Sequence, residues 1–308
     1  MKEKKVDKFG SYDYFSHNEF TRCPDVSVVM GVYNGAQYLR EAIESILNQT
    51  FINFEFIIID DGSSDEFSTI VWEYIKRDSR IVLITQDNIG LTKSLIRGID
   101  NARGVFVARQ DADDISLPGR LGKSIAAIGS SCLLSTLWYV DDGGGKVVSK
   151  FCKLINILPD FVSHFLLKFN NNYVHGTFFF RRMEGFTYNP LYAYSQDYDL
   201  ILRALEHGGH KFLREKTYIL RQHSSSISSS NYTKQLLCAL VASFCAHARR
   251  KSANTIRAKN NQPASYSLRS LFLEYPLFGI VLFFSTIIRT RRFSIISCFN
   301  KSLGECRT

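Results

Sequence analysis

The chain lacks cysteines spaced for a metal knuckle or a redox motif. Its seven cysteines (Cys23, Cys132, Cys152, Cys238, Cys245, Cys298 and Cys306) form no CxxC. Scattered single thiols are expected as buried or idle side chains in a reducing compartment. The start, MKEKKVDKFG, has no apolar run behind its lysines. That leaves no secretory leader, and the expected location is cytoplasmic. There is no internal repeat. No apolar stretch reaches the roughly 20 residues that a spanning helix needs. Acids are scarce at the far end: from Arg249 onward eleven Lys/Arg face only Glu274 and Glu305. The whole net charge of +9 therefore belongs to the tail, and residues 1–248 are neutral overall.

What is present is ordinary for a folded protein, at 45% hydrophobic and 22% charged residues. With 308 residues there is room for one large α/β domain and an extension. Residues 1–24 are polar with interspersed Tyr and Phe and read as a loosely attached leader. Val26 to Val32 is an apolar run of strand length, broken by Tyr33-Asn34-Gly35, and Leu39, Ala42, Ile43, Ile46 and Leu47 then recur at helical spacing. The alternation repeats: strand Phe54 to Ile59, helix Ser68 to Lys76, strand Ile81 to Thr85, helix Leu91 to Ala102, then a strand from Val105. Such alternation predicts a doubly wound parallel sheet, whose ligands bind at the carboxyl ends of its strands. Polar clusters fall at those ends: Tyr33/Asn34, Asp60/Asp61, Asn88/Gly90 and Asp111/Asp113. Further on, CLLSTLWYVDD followed by GGGKVV predicts a hairpin, YVHGTFFFRR a strand within the sheet, SQDYDLILRALEHGG a helix, and KFLREKTYILRQH a strand.

The run VFVARQDADDISLPGR places Asp111, Asp113 and Asp114 at one strand end. Crowded carboxylates repel, so a divalent cation or a basic side chain is required there. Carboxylate oxygens suit Mg²⁺ or Mn²⁺, which take one or two protein carboxylates together with phosphate oxygens. A lone DxD also occurs in solvated loops and helix caps, and Asp197 could likewise be a helix cap. Lys93, Arg109 and Arg120 flank the acids, either to neutralise a diphosphate or as structural ion pairs. Asp199 reads as a surface or capping acid.

The order of these segments carries more than any one of them. VSVVMGVYNGAQYLREAIESILNQT, FEFIIIDDGSSD, DNIGLTKSLIRGIDNARGVFVARQDADDISLPGRL, VHGTFFFRR and SQDYDLILR follow one another at domain-scale spacing. From about Val26 to His223 the chain resembles the family 2 glycosyltransferases, including those of bacterial O-antigen and capsule assembly. The resemblance implies a GT-A fold: a Rossmann-like, mixed but mostly parallel sheet flanked by helices, over residues 25–230. It implies that Val32, Tyr33, Asn34, Asp60 and Asp61 hold the nucleoside; Asn88 and Gly90 are expected to shape a turn beside the nucleotide, where Lys93 and Arg109 could neutralise its diphosphate or form structural ion pairs. It implies that Asp111 and Asp113 meet the sugar nucleotide and its Mn²⁺ or Mg²⁺, and that Asp197 is the general base. His175, Arg221 and His223 match positions near the acceptor or diphosphate. The family's first acid before the base helix is Gln196 here, which puts that acid's role in doubt.

These features lead to the expectation of a metal-dependent, inverting sugar transfer from a UDP- or dTDP-linked donor to a saccharide acceptor on a polyprenyl diphosphate. Inversion follows from one base with direct attack, since no second carboxylate is singled out as a nucleophile. Two rivals stand beside it. Sugar nucleotidyltransfer would call for a glycine-rich triphosphate loop after the first strand, and GVYNGAQYLRE has none. A catalytically inactive sugar-nucleotide-binding scaffold would not need Asp111, Asp113 and Asp197 together. Residues 231–308 form a basic extension, expected to be helical and membrane-associating. Its mostly apolar run Tyr275 to Ile288, followed by Arg289, Arg291 and Arg292, suits the inner face of the plasma membrane, with packing on the enzyme or a partner as the other reading. No nucleic-acid module accompanies the basic tail, so nucleic acid is not expected as a partner.

Overall fold

A computed structural model describes residues 2–16, 23–141, 147–148, 167, 171, 173–223 and 232–255. The alternating segments form β3 (Val26–Val32), α1 (Ala36–Leu47), β4 (Phe54–Asp60), α2 (Phe67–Ile75), β5 (Ile81–Thr85), α3 (Leu91–Asp100) and β6 (Phe106–Arg109). Every residue of β3 and β4 is buried, as expected of strands covered on both faces. The two-residue period divides them. Val28, Met30, Phe56 and Ile58 pack with Leu39, Ile43, Ile70 and Val71 of α1 and α2. Val29, Ile57 and Ile59 pack with Leu95, Ile96 and Ile99 of α3.

The strands β5, β4, β3 and β6 lie side by side and parallel. The chain runs outward from β3 through β4 to β5, then returns to the other side of β3 for β6. That reversal opens a crevice at the carboxyl ends of β3 and β6. Gly98 lets α3 sit close: an added Cβ would lie 2.6 Å from Val29 Cγ1 and 2.8 Å from Ile59 Cδ1. Gly98→Ala should therefore cost about 1–3 kcal/mol despite its better helix propensity, read as a lower midpoint in urea.

Beyond β6 the sheet continues through β10 (Phe179–Arg181), β8 (Leu133–Asp141), β11 (His210–Arg221) and β7 (Ile115–Ser116). Strand β10 is antiparallel to both its neighbours, and β7 is antiparallel to β11. The parallel sheet expected from the alternation is thus the central block of a mixed sheet, the mixed arrangement that the resemblance implied. The expected hairpin forms where β9 (Val147–Val148) pairs with the end of β8. The helix α4 (Arg120–Ile128) lies between β7 and β8, and α5 (Gln196–His207) precedes β11.

The leader is the larger correction. Residues β1 (Lys2–Asp7) and β2 (Gly10–Ser16) form an antiparallel hairpin, and β2 pairs antiparallel with β5. Tyr12 and Tyr14 enter the core. Alternating polar and aromatic residues bury one face of an edge strand while exposing the other, so a polar composition did not mean a loose segment.

The extension begins as a long helix, α6 (Tyr232–Thr255), against α5. The ion pair of Arg249 with Glu206 (2.8 Å) joins the two helices. No helix among the described residues is long and apolar enough to cross a membrane. The run Tyr275 to Ile288 lies outside the described residues.

Candidate active site

At the end of β3 the chain turns through Asn34, which has φ 51°, a left-handed conformation that Asn tolerates better than most residues. The Asn34 side chain accepts from the Ser64 amide (2.8 Å), and its own amide donates to Ser63 Oγ (3.1 Å). The loops after β3 and β4 are thus tied together, with Tyr33 more than half exposed beside them. Val32 is buried, and its carbonyl accepts from the Asp61 amide.

The two acids after β4 differ in environment. Asp60 accepts from the Ser63 amide (2.8 Å), and burial pushes its carboxyl above the usual range. Asp61 accepts from Gln86 Nε2 (2.7 Å) and from the amides of Ile89 and Gly90 (both 2.9 Å). Asp61 therefore organises the loop that carries Asn88 and Gly90. Gly90 has φ 89°, which favours glycine, and it starts α3. Lys93, in the first turn of that helix, is exposed.

The crowded acids after β6 each have a different partner. Arg109 is buried and donates from Nη2 to Asp111 Oδ1. Asp113 meets His223 Nε2 at 2.8 Å. Asp114 is fully buried and accepts from the Arg221 amide (2.8 Å). Burial drives the Asp114 carboxyl well above its ordinary range, and the charges of Asp111 and Asp113 push it further. Burial also raises Asp111, with Arg109 pulling the other way. Tyr218 Oη accepts from the Asp111 amide at 3.1 Å, under Gly176, where a Cβ would lie only 2.1 Å from that hydroxyl.

Arg120 has a structural place. It is fully buried and donates to Ser116 Oγ (2.7 Å), to Gln110 Oε1 (3.1 Å) and to the carbonyls of Arg109 and Gly176. These four acceptors take up its terminal nitrogens, so the diphosphate option left open for Arg120 is removed.

Asp197 lies in the first turn of α5, where Asn171 Nδ2 donates to its Oδ2 at 2.6 Å. Burial raises its pKa to about 6, backbone hydrogen bonds oppose this, and the charge of Asp111 adds to the rise. The turn before it holds Ser195 at φ 55°, an uncommon conformation for a non-glycine residue. The Ser195 hydroxyl donates to the Gln235 carbonyl of α6 (2.7 Å), so the extension helix braces the turn that presents Asp197. Gln196 is buried. Asp199 is the opposite of a surface acid: it is fully buried and paired with Arg203 at 2.8 Å.

His175 shares a hydrogen bond with Tyr188 Oη (2.6 Å), and burial, with the Arg109 charge adding, pushes it well below its ordinary pKa. It is a neutral imidazole at neutral pH. Arg221 reaches Glu41 of α1 at 2.7 Å and covers the Tyr38 ring at 4.6 Å, while His223 lies against the same ring at 5.0 Å.

The structure thus gathers Asp111, Asp113, His223 and Arg221 at one mouth, with Asp60 and Asn34 at the neighbouring strand ends. Among the described residues no group of three or more His, Cys, Asp or Glu is assembled to hold a metal ion. Asn171, Tyr188, Tyr218, Gln86 and Tyr38 carry much of this geometry and were not singled out from sequence. They are single polar residues with no pattern of their own, Tyr38 within the segment VSVVMGVYNGAQYLREAIESILNQT and Asn171 in the polar run Asn170-Asn171-Asn172.

A family model described as glycosyl transferase family 2 matches residues 27–207. EpsE of Bacillus subtilis (strain 168), a glycosyltransferase by name, is 33% identical over 219 residues, 68% of this chain and 77% of its own. The uncharacterized glycosyltransferase MJ1057 of Methanocaldococcus jannaschii is 40% identical over 128 residues, 39% of this chain and 44% of its own. Among solved structures, residues 1–349 of Staphylococcus aureus TarS with UDP-GlcNAc superpose with a TM-score of 0.56 at 20% identity, covering 71% of this chain and 66% of that one. The Pyrobaculum calidifontis mannosyltransferase PcManGT, determined with GDP-Man and Mn²⁺, gives 0.53 at 13% identity over 94% of this chain and 82% of that one. At these identities the structural likeness speaks for the fold, and with the mixed sheet flanked by helices it supports a GT-A fold.

Proposed function

Because the chain belongs to glycosyl transferase family 2, we propose that it transfers a sugar, with inversion, from a UDP- or dTDP-linked donor to a saccharide acceptor on a polyprenyl diphosphate. The single observation that carries the reaction type is Asp197: a partly buried carboxylate, oriented by Asn171, with a pKa of about 6 and within electrostatic reach of Asp111. A base poised near neutral pH is what removal of a proton from an acceptor hydroxyl calls for.

The residues divide the work as follows. Asn34 and Asp60 face the nucleoside, on loops that Asp61 and Ser63 hold in place. Asp111 and Asp113 would hold Mg²⁺ or Mn²⁺, with His223 hydrogen-bonded to Asp113 beside them. One or two protein carboxylates suit such an ion when phosphate oxygens complete its shell, and PcManGT, of the same fold, was determined with Mn²⁺. Once bound, the ion supplies positive charge to the departing diphosphate. Arg221, whose Nη1 is buried without a partner, and the exposed Lys93 add further positive charge near the diphosphate. Neutral His175 and Tyr188 line the side toward the acceptor. A surface-polysaccharide pathway, O-antigen or capsule, is the setting in which a lipid-linked acceptor and a basic, partly apolar tail on the inner membrane face would serve one purpose.

The test is donor consumption by purified full-length protein against a panel of nucleotide sugars with Mn²⁺, Mg²⁺ or chelator. One donor should be consumed, only with metal, and Asp113→Ala should abolish that consumption. Turnover unaffected by chelator and by Asp113→Ala would remove the metal from the mechanism. A donor bound but not consumed, even with a membrane lipid extract as acceptor, would favour the inactive scaffold.

A further inference from the structure

The N-terminal hairpin lies before the segment matched by the family model, which begins at residue 27. Its position is set by register: β2 runs antiparallel to β5, with Asp13 opposite Thr85. The turn between β1 and β2 therefore projects past the carboxyl end of β5, on the side of the sheet where the candidate site opens. Asp7, the last residue of β1, leads into that turn, its Oδ1 accepting from the Phe9 amide at 2.7 Å.

From Asp7 a continuous chain of hydrogen bonds enters the site. Arg97 of α3 is 1% exposed, donates to Asp7 from Nε (2.8 Å) and Nη2 (2.7 Å), and lies over the Tyr12 ring at 4.4 Å. Its Nη1 donates to Gln86 Oε1 (2.5 Å). The Gln86 amide then donates to Asp61 Oδ1 (2.7 Å) and to Ser94 Oγ (2.9 Å).

The chemistry fixes the direction of each link. A guanidinium can only donate, so the Gln86 oxygen is committed to Arg97, and the Gln86 NH₂ must face Asp61 and Ser94. The flipped amide would set donor against donor. Asp61 is held in turn, and its remaining bonds fix the amides of Ile89 and Gly90 in the loop beside the nucleoside. Among the described residues the carboxylate paired with the buried Arg97 is Asp7, which belongs to the hairpin. A buried cation stripped of its counterion is strongly unfavourable and draws in other groups. The nearest acceptor already on Arg97 is Gln86, the group that orients Asp61.

We propose that the β1–β2 hairpin is a positioning element for the donor site, in which Asp7, through Arg97 and Gln86, sets the orientation of Asp61 and of the 86–90 loop for nucleotide binding. This rests on the nucleotide-sugar reading above. Asp7, Arg97 and Gln86 touch no substrate; they act through Asp61.

The experiment measures Kd for UDP, dTDP and GDP, each with Mn²⁺, by calorimetry on the full chain, together with thermal stability. Wild type should bind one of the three. Asp7→Asn should weaken that binding by roughly tenfold, as expected within one hydrogen-bonded network, and Asp7→Glu should recover most of it. Tyr14→Leu, in the same hairpin but outside the relay, should lower thermal stability and leave Kd unchanged. If Asp7→Asn does not fold, Gln86→Met breaks the relay at its centre with the Asp7–Arg97 pair intact, and the same loss of affinity is expected. Wild-type affinity in folded Asp7→Asn or Gln86→Met, or an equal loss in Tyr14→Leu, would overturn the positioning role and leave the donor reading standing. Wild type that binds none of the nucleotides would overturn the donor reading, and the relay with it.

Discussion

Asp197→Asn is expected to lower turnover by about 10²–10⁴-fold while donor affinity stays at the wild-type level. The substitution keeps the shape of the side chain and leaves an oxygen to accept from Asn171 Nδ2, so the first turn of α5 has no reason to move. What it removes is the capacity to take a proton. The same group predicts the pH profile. Burial raises the Asp197 pKa to about 6, and the charge of Asp111 acts in the same direction. The ionised carboxylate is the active form. Activity should therefore be full above this value and fall tenfold per pH unit as pH drops below it, read in kcat/KM. A profile flat to pH 5, or an Asp197→Asn enzyme that loses donor binding along with turnover, would assign Asp197 to binding instead of proton transfer.

The other large effect is on stability. Arg120→Met should destabilise the fold by about 4 kcal/mol, because four acceptors on three chain segments lose their donor in a site closed to water. The carbonyls of Arg109 and Gly176 and the polar atoms of Gln110 and Ser116 all converge on this one guanidinium. Methionine can fill much of the volume and satisfies none of them. For a chain of this size the melting temperature should drop by roughly 8–16 °C. Arg120 is closed to solvent, and that burial pulls its pKa down to about 10. A melting temperature within a degree or two of wild type would mean that water or a neighbouring side chain takes over the acceptors.

The contrast between Arg109 and Arg120 shows where sequence reasoning stopped. Both are cations flanking the same acids, and on paper each could neutralise a diphosphate or pair internally. In the structure Arg109 pairs with Asp111 while Arg120 faces backbone carbonyls. Chain spacing cannot distinguish them, because Gly176 reaches Arg120 from more than fifty residues away. Asp199 failed for the same reason. It follows the candidate base by two residues, and an acid in a first helical turn is ordinarily a solvated cap. Here the helix is covered by β-sheet and by α6, and Asp199 is buried against Arg203. The hairpin over Lys2–Ser16 was missed because an edge strand buries only one face, and its polar half dominates the composition.

The sequence by itself determined the alternating elements from β3 to β6, the polar character of their carboxyl ends, the acids at 60–61 and 111–113, and the acid at the start of α5. Each of these rests on a local signal: an apolar run, a helical period, or a carboxylate in a short motif. Only the tertiary structure decided which acid has which partner, that Asp61 is spent on organising a loop while Asp113 meets His223, and that the first sixteen residues reach the candidate site through Arg97 and Gln86. Those outcomes depend on contacts between residues 11 to 110 positions apart, made between elements whose order in the sheet is not their order in the chain.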